Sequence, residues 1–146
     1  MPRTRRTRTM PASPEAVWRT IADPHHLPRW WPRVQRVEGV AGERFTEVLG
    51  TDKGRSVRAD FSVLESRAPE VRRWRQDVDG TPFERLLRSA ETEVRLAPDD
   101  TGGTRVTLTL RQRLRGVGAL GGFMVGRANR RVADEALAAL ARLHGG

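Results

Sequence analysis

The sequence predicts an α+β domain: a curved antiparallel sheet of about seven strands wrapped round one long C-terminal helix, with two short helices after the first strand. Three features predict it. Two helix-start signals fall close together, at Ser13-Pro14 and at Asp23-Pro24. Across residues 34–114 the apolar pattern has period two, cut at intervals by glycine, proline and aspartate. The end of the chain then turns to spacings of three and four in an alanine-rich stretch.

In order, residues 4–10 (TRRTRTM) are threonine-rich and alternating, which suits a strand. Ser13 supplies a capping hydroxyl ahead of proline at the first helical position, and Glu15 suits the positive end of the helix dipole. Val17 and Ile21 then share one face, with Trp18 beside them as core. Asp23-Pro24 repeats the signal, giving a second helix over residues 24–30 that stops before Pro32. Strands are expected at 34–40, 43–50, 55–67, 70–79, 83–97 and 104–114. Their separators are Gly39 with Gly42, Gly50 to Gly54, Ala68-Pro69, Asp79-Gly80 with Pro82, and Pro98 to Gly103. In the last strand Val106, Leu108, Leu110 and Leu114 alternate with arginines and threonines; in 55–67 the apolar face is Val57, Ala59, Phe61 and Val63. In 83–97 that face is Leu86, Ala90, Val94 and Leu96. Hairpin spacing throughout implies an antiparallel sheet with one wet face. The helix over residues 120–143 carries the stripe Val125, Ala128, Val132, Ala136, Leu140 and Leu143. It is the only element large enough to cover the inner face of the sheet, and a sheet curled round one helix leaves space at one end. That space is either packed shut or a pocket.

The chain has 146 residues, which fits a single domain. Such a domain buries roughly 70% of its unfolded surface and folds without a disulfide or metal. With no cysteine, thiol nucleophiles, zinc–thiolate sites and disulfide frameworks are excluded together. No apolar run approaches the ~20 residues of a membrane span. The leading arginines precede no apolar h-region, so neither a transmembrane segment nor a signal peptide is expected, and a cytoplasmic location is. Lysine and arginine total 27 against 18 acids, a net charge of +9, and Lys53 is the sole lysine. That balance suits an anionic partner. Arginine is nevertheless spread through nearly every segment rather than gathered on one stripe, and no DNA partner is expected. The stretch free of acids is residues 1–14, with Arg3, Arg5, Arg6 and Arg8. Nothing in the sequence sets the oligomeric state.

Several motifs lead nowhere. Gly116, Gly118 and Gly121 spell GxGxxG, but the helix that follows is the last element, so no βαβ unit exists and a flexible turn explains the glycines. His25 and His26 would point about 100° apart on a helix and have no third ligand at metal spacing. No GxSxG elbow occurs. Neither a metal nor a cofactor is expected.

Tryptophans and in-register polar residues carry more. Trp30 ends the second helix and is assigned to a cavity wall; Trp74 shares a side with Arg72, Gln76 and Val78 and is either wall or satisfied core. Extending the face of Phe61 and Val63 by steps of two brings Glu65 and Arg67 inward. Arg88 and Thr92 share the parity of Ala90, and Gln112 lies between Leu110 and Leu114. Buried charges are costly unless paired, so Glu65, Arg67, Arg72 and Arg88 either meet one another, water or a ligand, or are turned to solvent by a strand end or a bulge. If they converge, with Phe61, Val63 and Val125 as apolar wall, the pocket has a cationic end for a long or aromatic anion.

The stretch ASPEAVWRTIADPHHLPRWWPRV (12–34), the strand meander, DDTGGTRVTLTL (99–110) and the terminal helix resemble the START-like or SRPBCC superfamily, whose fold is the helix grip and which includes polyketide cyclase/dehydrase-like proteins. The resemblance implies a deep hydrophobic cavity between sheet and helix, which in relatives holds lipids, sterols, hormones or polyketide intermediates. It therefore implies a hydrophobic small-molecule ligand and a carrier or binding role. Its cyclase members imply an alternative, an aromatase/cyclase-type enzyme. There Arg67, ahead of Ala68-Pro69, would match an inward catalytic arginine, with Glu65 as the acid–base group. The chain departs from that pattern in having no tyrosine, and Val63 and Glu65 stand where an aromatic and a serine are expected. Relatives that bind chaperones or ribosomes imply a third option, a protein- or RNA-interaction module with a filled cavity and a basic outer patch.

Overall fold

The computed structural model describes residues 3–116 and 118–146. The chain runs β1 (Arg3–Met10), α1 (Pro14–Ile21), a 3-10 turn (Pro24–His26) leading into α2 (Leu27–Trp30), then β2 (Val34–Ala41), β3 (Arg44–Gly50) and β4 (Ser56–Arg67). After these come β5 (Val71–Gln76), a 3-10 turn at Pro82–Arg85, β6 (Leu87–Pro98), β7 (Thr104–Leu114) and α3 (Ala119–Leu143). The strands form one antiparallel sheet in the order β1-β7-β6-β5-β4-β3-β2. This is the helix-grip arrangement the sequence predicts, with α3 packed against β1, β7 and α2.

Both helix starts form as their capping residues require. Ser13 Oγ accepts from the Ala16 N–H at 3.3 Å, and Asp23 Oδ1 accepts from the His25 N–H at 3.0 Å. The strand expected over residues 83–97 starts later, at Leu87, because Pro82 cannot donate to a ladder and opens a 3-10 turn instead. Leu86, expected to face inward, is 64% exposed as a result. In the expected turn over residues 116–121, Gly116 has φ 61° and Gly118 is the N-cap of α3; Val117 lies outside the described residues.

Two register shifts matter for the site, one between Val63 and Glu65 in β4 and one between Leu87 and Ser89 in β6. An extra residue in a strand reverses the inside–outside alternation beyond it.

The core occupies the end of the grip nearest the C-terminus. Ala133, Ala136, Leu137, Leu140 and Ala141 of α3 are buried against Met10, Val17, Ile21, Leu27 and the inner faces of β6 and β7. Three of these five helix residues are alanine, which lets the helix axis lie close to the sheet. Beyond the end of α3, His144 Nε2 and Thr20 Oγ1 are hydrogen-bonded at 2.9 Å and tie it to α1.

Candidate functional site

Toward the middle of α3 the packing opens. An inner chamber of ≈ 190 Å³ is walled by Trp31, Leu49, Phe61, Trp74, Leu110 and Val132, with Glu47, Gln76, Thr92, Gln112 and Asn129 as polar lining. An outer cavity of ≈ 670 Å³ shares Trp31, Leu49 and Val132 with it. The outer cavity is bounded by the β3–β4 turn at Thr51 and Asp52, by Phe83, and by Ala128 and Arg131 of α3. Trp31 thus stands between the two spaces, edge-on to Trp74 at 6.2 Å and to Trp30 at 5.4 Å. At the mouth Arg33 Nη2 donates to Asp52 Oδ1 at 2.6 Å, bridging the start of β2 and the β3–β4 turn. Arg33 holds a left-handed backbone with φ 67°, a strained conformation for a side chain that cannot gain from glycine's freedom.

The polar side of the chamber starts from β3. Its alternation puts Phe45, Glu47 and Leu49 on the inner face, opposite Phe61, Ala59 and Val57 of β4. Glu47 is only 3% exposed, and no described residue gives it a hydrogen bond or an ion pair. Burial alone pushes its carboxyl up to about 8, because the charged form loses its water and gains no partner. Near neutral pH the group is therefore mainly the neutral acid, which carries one O–H donor. Gln76 faces the same chamber from β5, and its Nε2 is buried without a partner. Asn129 Nδ2 on α3 donates to Gln112 Oε1 on β7 at 3.0 Å, joining helix to sheet across the chamber.

Of the residues singled out in the sequence, Phe61, Trp74 and Gln112 line the chamber. Trp30 does not line it: 2% exposed among the core residues, it borders a separate hollow with Arg29, Ala139 and Arg142, and its neighbour Trp31 forms the chamber wall. Val63 pairs across strands with Trp74 and packs on the core without lining the chamber. Val125 is half-buried on α3, one turn before Asn129, and is also absent from the lining. Arg72 keeps its inward register opposite Val94, but Nη1 donates to Ser66 Oγ at 2.9 Å and the residue stays out of the chamber. Burial lowers its pKa, opposed by the charge of Asp23.

The expectation for Glu65 and Arg67 is corrected by the β4 bulge. Beyond Val63 the alternation reverses, so Glu65 pairs with Arg73 and Arg67 with Val71 on the outer face. There Arg67 Nε donates to Glu65 Oε2 at 3.0 Å and Nη1 to Glu70 Oε2 at 3.2 Å. The Arg67 hydrogen bond holds Glu65 below its ordinary value, as an exposed ion pair does. Arg88 is corrected in the same way. It is the bulged residue between Leu87 and Ser89, exposed beside a separate surface hollow lined by Arg75, Asp77 and Asp79. Among the described residues the inner chamber therefore lacks the expected cationic end and is lined by an acid with three amides, while Arg33 and Arg131 border the outer cavity.

The fold has counterparts among known proteins. The sequence pattern of the polyketide cyclase / dehydrase and lipid transport family matches residues 1–145. The chain belongs to that family. No curated protein matches it. Among solved structures, a START superfamily protein from Mycobacterium smegmatis superposes with TM-score 0.79 at 14% identity, covering 98% of this chain and 97% of that one. A protein from Thermus thermophilus gives TM-score 0.74 at 26% identity, covering 97% and 95%. The di-domain ARO/CYC BexL from the BE-7585A biosynthetic pathway gives TM-score 0.79 at 22% identity, covering 97% of this chain and 46% of that one. These likenesses place this member of the polyketide cyclase/dehydrase and lipid transport family in the START-like fold.

Proposed function

We propose that the protein binds a hydrophobic small molecule in the space between sheet and α3 and serves as a carrier or binding protein. The observation that carries this reading is the aromatic-walled chamber of ≈ 190 Å³ that adjoins an outer cavity of ≈ 670 Å³. Small-molecule sites run from about 300 to 1,000 Å³ and combine apolar walls with placed polar groups; the outer cavity falls in that range, and the chamber adds aromatic walls and a polar side. Burying ligand against Trp31, Phe61, Trp74 and Leu110 gains about 25 cal/mol per Å² of apolar surface. The family's description, which includes lipid transport, points the same way. No helix among the described residues is long and apolar enough to cross a membrane, and a cytoplasmic location is part of the same proposal. The cyclase alternative is weakened because Glu65 and Arg67 face away from the cavity. An interaction module with a filled interior is weakened by the cavity itself.

Native mass spectrometry of freshly purified protein, followed by calorimetric titration with a panel of lipids and aromatic compounds, tests the proposal. A retained guest or saturable binding is expected, weakened at least tenfold by Trp31→Ala, which removes the wall common to both spaces. A protein that emerges empty and binds no member of the panel overturns it.

A further inference from the structure

The inner chamber presents donors to its guest. Glu47, as a neutral acid, offers an O–H, and the buried Gln76 Nε2 offers N–H groups that no protein atom takes up. Leaving such groups unmatched costs about 1–3 kcal/mol each, so a guest that accepts from them is favoured. An apolar cavity of about 150 Å³ admits benzene, so a chamber of ≈ 190 Å³ takes one six-membered ring with a small substituent. Resting on the binding role proposed above, we infer that the chamber recognises a ring-borne carbonyl, its keto oxygen accepting hydrogen bonds from Glu47 and Gln76 while the remainder of the ligand occupies the outer cavity.

Charge arguments narrow the class further. An anionic group inside the chamber would meet no cation, because Glu47 and Glu91 are the only titratable residues among the described ones lining it, and the arginines Arg33 and Arg131 border the outer cavity instead. Glu91 is already held from outside, its Oε1 accepting from Arg73 Nη1 at 2.6 Å. A cationic amine would need Glu47 ionised, would meet the N–H groups of Gln76 head-on, and would enter past Arg33 and Arg131. The elements around Glu47 add no other charge at its level. β2 and β4 set Val37 and Ala59 opposite it, α3 contributes Asn129 and Val132, and Trp31 closes the remaining side. Arg33, Asp52, Arg131 and Glu135 belong to the outer cavity.

Three compounds of one shape separate the possibilities: 2-acetylnaphthalene, 2-ethylnaphthalene and 1-(2-naphthyl)ethylamine, titrated calorimetrically into the full chain at pH 6.5 and 9.5. The ketone is expected to bind roughly five- to tenfold tighter than the hydrocarbon at pH 6.5, the worth of one or two hydrogen bonds. That preference should shrink toward parity at pH 9.5, where Glu47 has lost its proton. Glu47→Gln, which keeps a donor and cannot ionise, should hold the preference at both pH values, and Gln76→Leu should reduce it at both. Equal binding of ketone and hydrocarbon overturns the inference but leaves the cavity's binding role intact. Tightest binding of the amine overturns it in favour of a counter-ion site. If none of the three saturates, the inference of a ring-borne carbonyl falls, while the binding role is decided by the wider panel and the mass spectrum.

Discussion

Glu47 is a destabilising residue whose cost can be measured. Its carboxyl ordinarily titrates near 4.5 and is pushed up to about 8 in the folded protein. Between those values the folded state holds a proton that the unfolded chain has released. Stability therefore falls as pH rises, by about 1.4 kcal/mol per pH unit for one fully displaced proton. The loss is nil below pH 4.5, about 3 kcal/mol at pH 7, and about 5 kcal/mol once pH passes 8. Glu47→Gln keeps the size and the hydrogen-bonding capacity but removes the ionisation. The variant should match the native protein near pH 4.5 and exceed it by about 3 kcal/mol at pH 7, a rise of roughly 10 °C in Tm for a domain of this size. Urea denaturation of both proteins at pH 5, 7 and 9, read by tryptophan fluorescence, measures the gap directly. A gap that stays flat across those three conditions would show that the acid is solvated or paired in solution, and would refute the account of the chamber given above.

Other substitutions test the frame around the site. A Cβ on Gly103 would collide with the backbone carbonyl of Met10 and lie 3.0 Å from Asp99 Oδ2, so Gly103→Ala should cost about 2–3 kcal/mol by thermal melting. His144 is pulled below its ordinary value by burial, with Arg29 adding to the effect, so the folded state resists the proton that the unfolded chain accepts below pH 6.5. Its contribution is present above that pH and lost below it, and His144→Gln should therefore lose less stability than the native protein between pH 7 and 5. Arg67→Ala breaks two exposed ion pairs, to Glu65 and Glu70, and should change stability by about 1 kcal/mol or less, leaving ligand titrations unaltered. A large drop in affinity in that variant would move the site to the outer face.

The architecture was legible because its signals are local. Ser13-Pro14 and Asp23-Pro24 cap where such residues cap, and the strand limits follow glycine and proline turns to within a residue or two, except that β5 stops at Gln76, three residues short of the expected 79, and β6 starts late after Pro82. The site was only half legible. Phe61, Trp74 and Gln112 sit in strands whose alternation runs unbroken to them, and parity alone places them in the chamber. Glu65 and Arg88 fail the same test because each lies at a bulge, and a bulge is set by how neighbouring strands pair, which no single strand's pattern records. Trp31 and Trp30 are adjacent, and which ring faces the cavity depends on how the short helix docks against α3. Glu47 is a different kind of miss. Phe45, Glu47 and Leu49 share one parity in RFTEVLG, so an acid on an apolar face was there to be read.

The basic composition has a reading that leaves the cavity out. On the outer face of the sheet Arg73 lies between Glu65 and Glu91, Glu93 is flanked by Arg95 and Arg111, and Glu38 takes both Arg36 and Arg58. These pairs, some within a strand and some across strands, lay long side chains over the outer surface, where stems cover apolar groups such as the buried Val48, set between Arg36 and Arg58. Exposed pairs of this kind are each worth under about 1 kcal/mol, so their role is coverage and solubility more than stability. The interior follows the opposite rule. Among the described residues its one buried acid, Glu47, lacks a partner and lowers stability at neutral pH, where a leucine in the register of Phe45 and Leu49 would have packed at no such cost. Under the binding role proposed above, a carboxyl kept in an aromatic-walled chamber against its own solvation has its physical justification in what it can donate to a guest, which puts the proposed site at β3 and α3 rather than on the arginine-rich face.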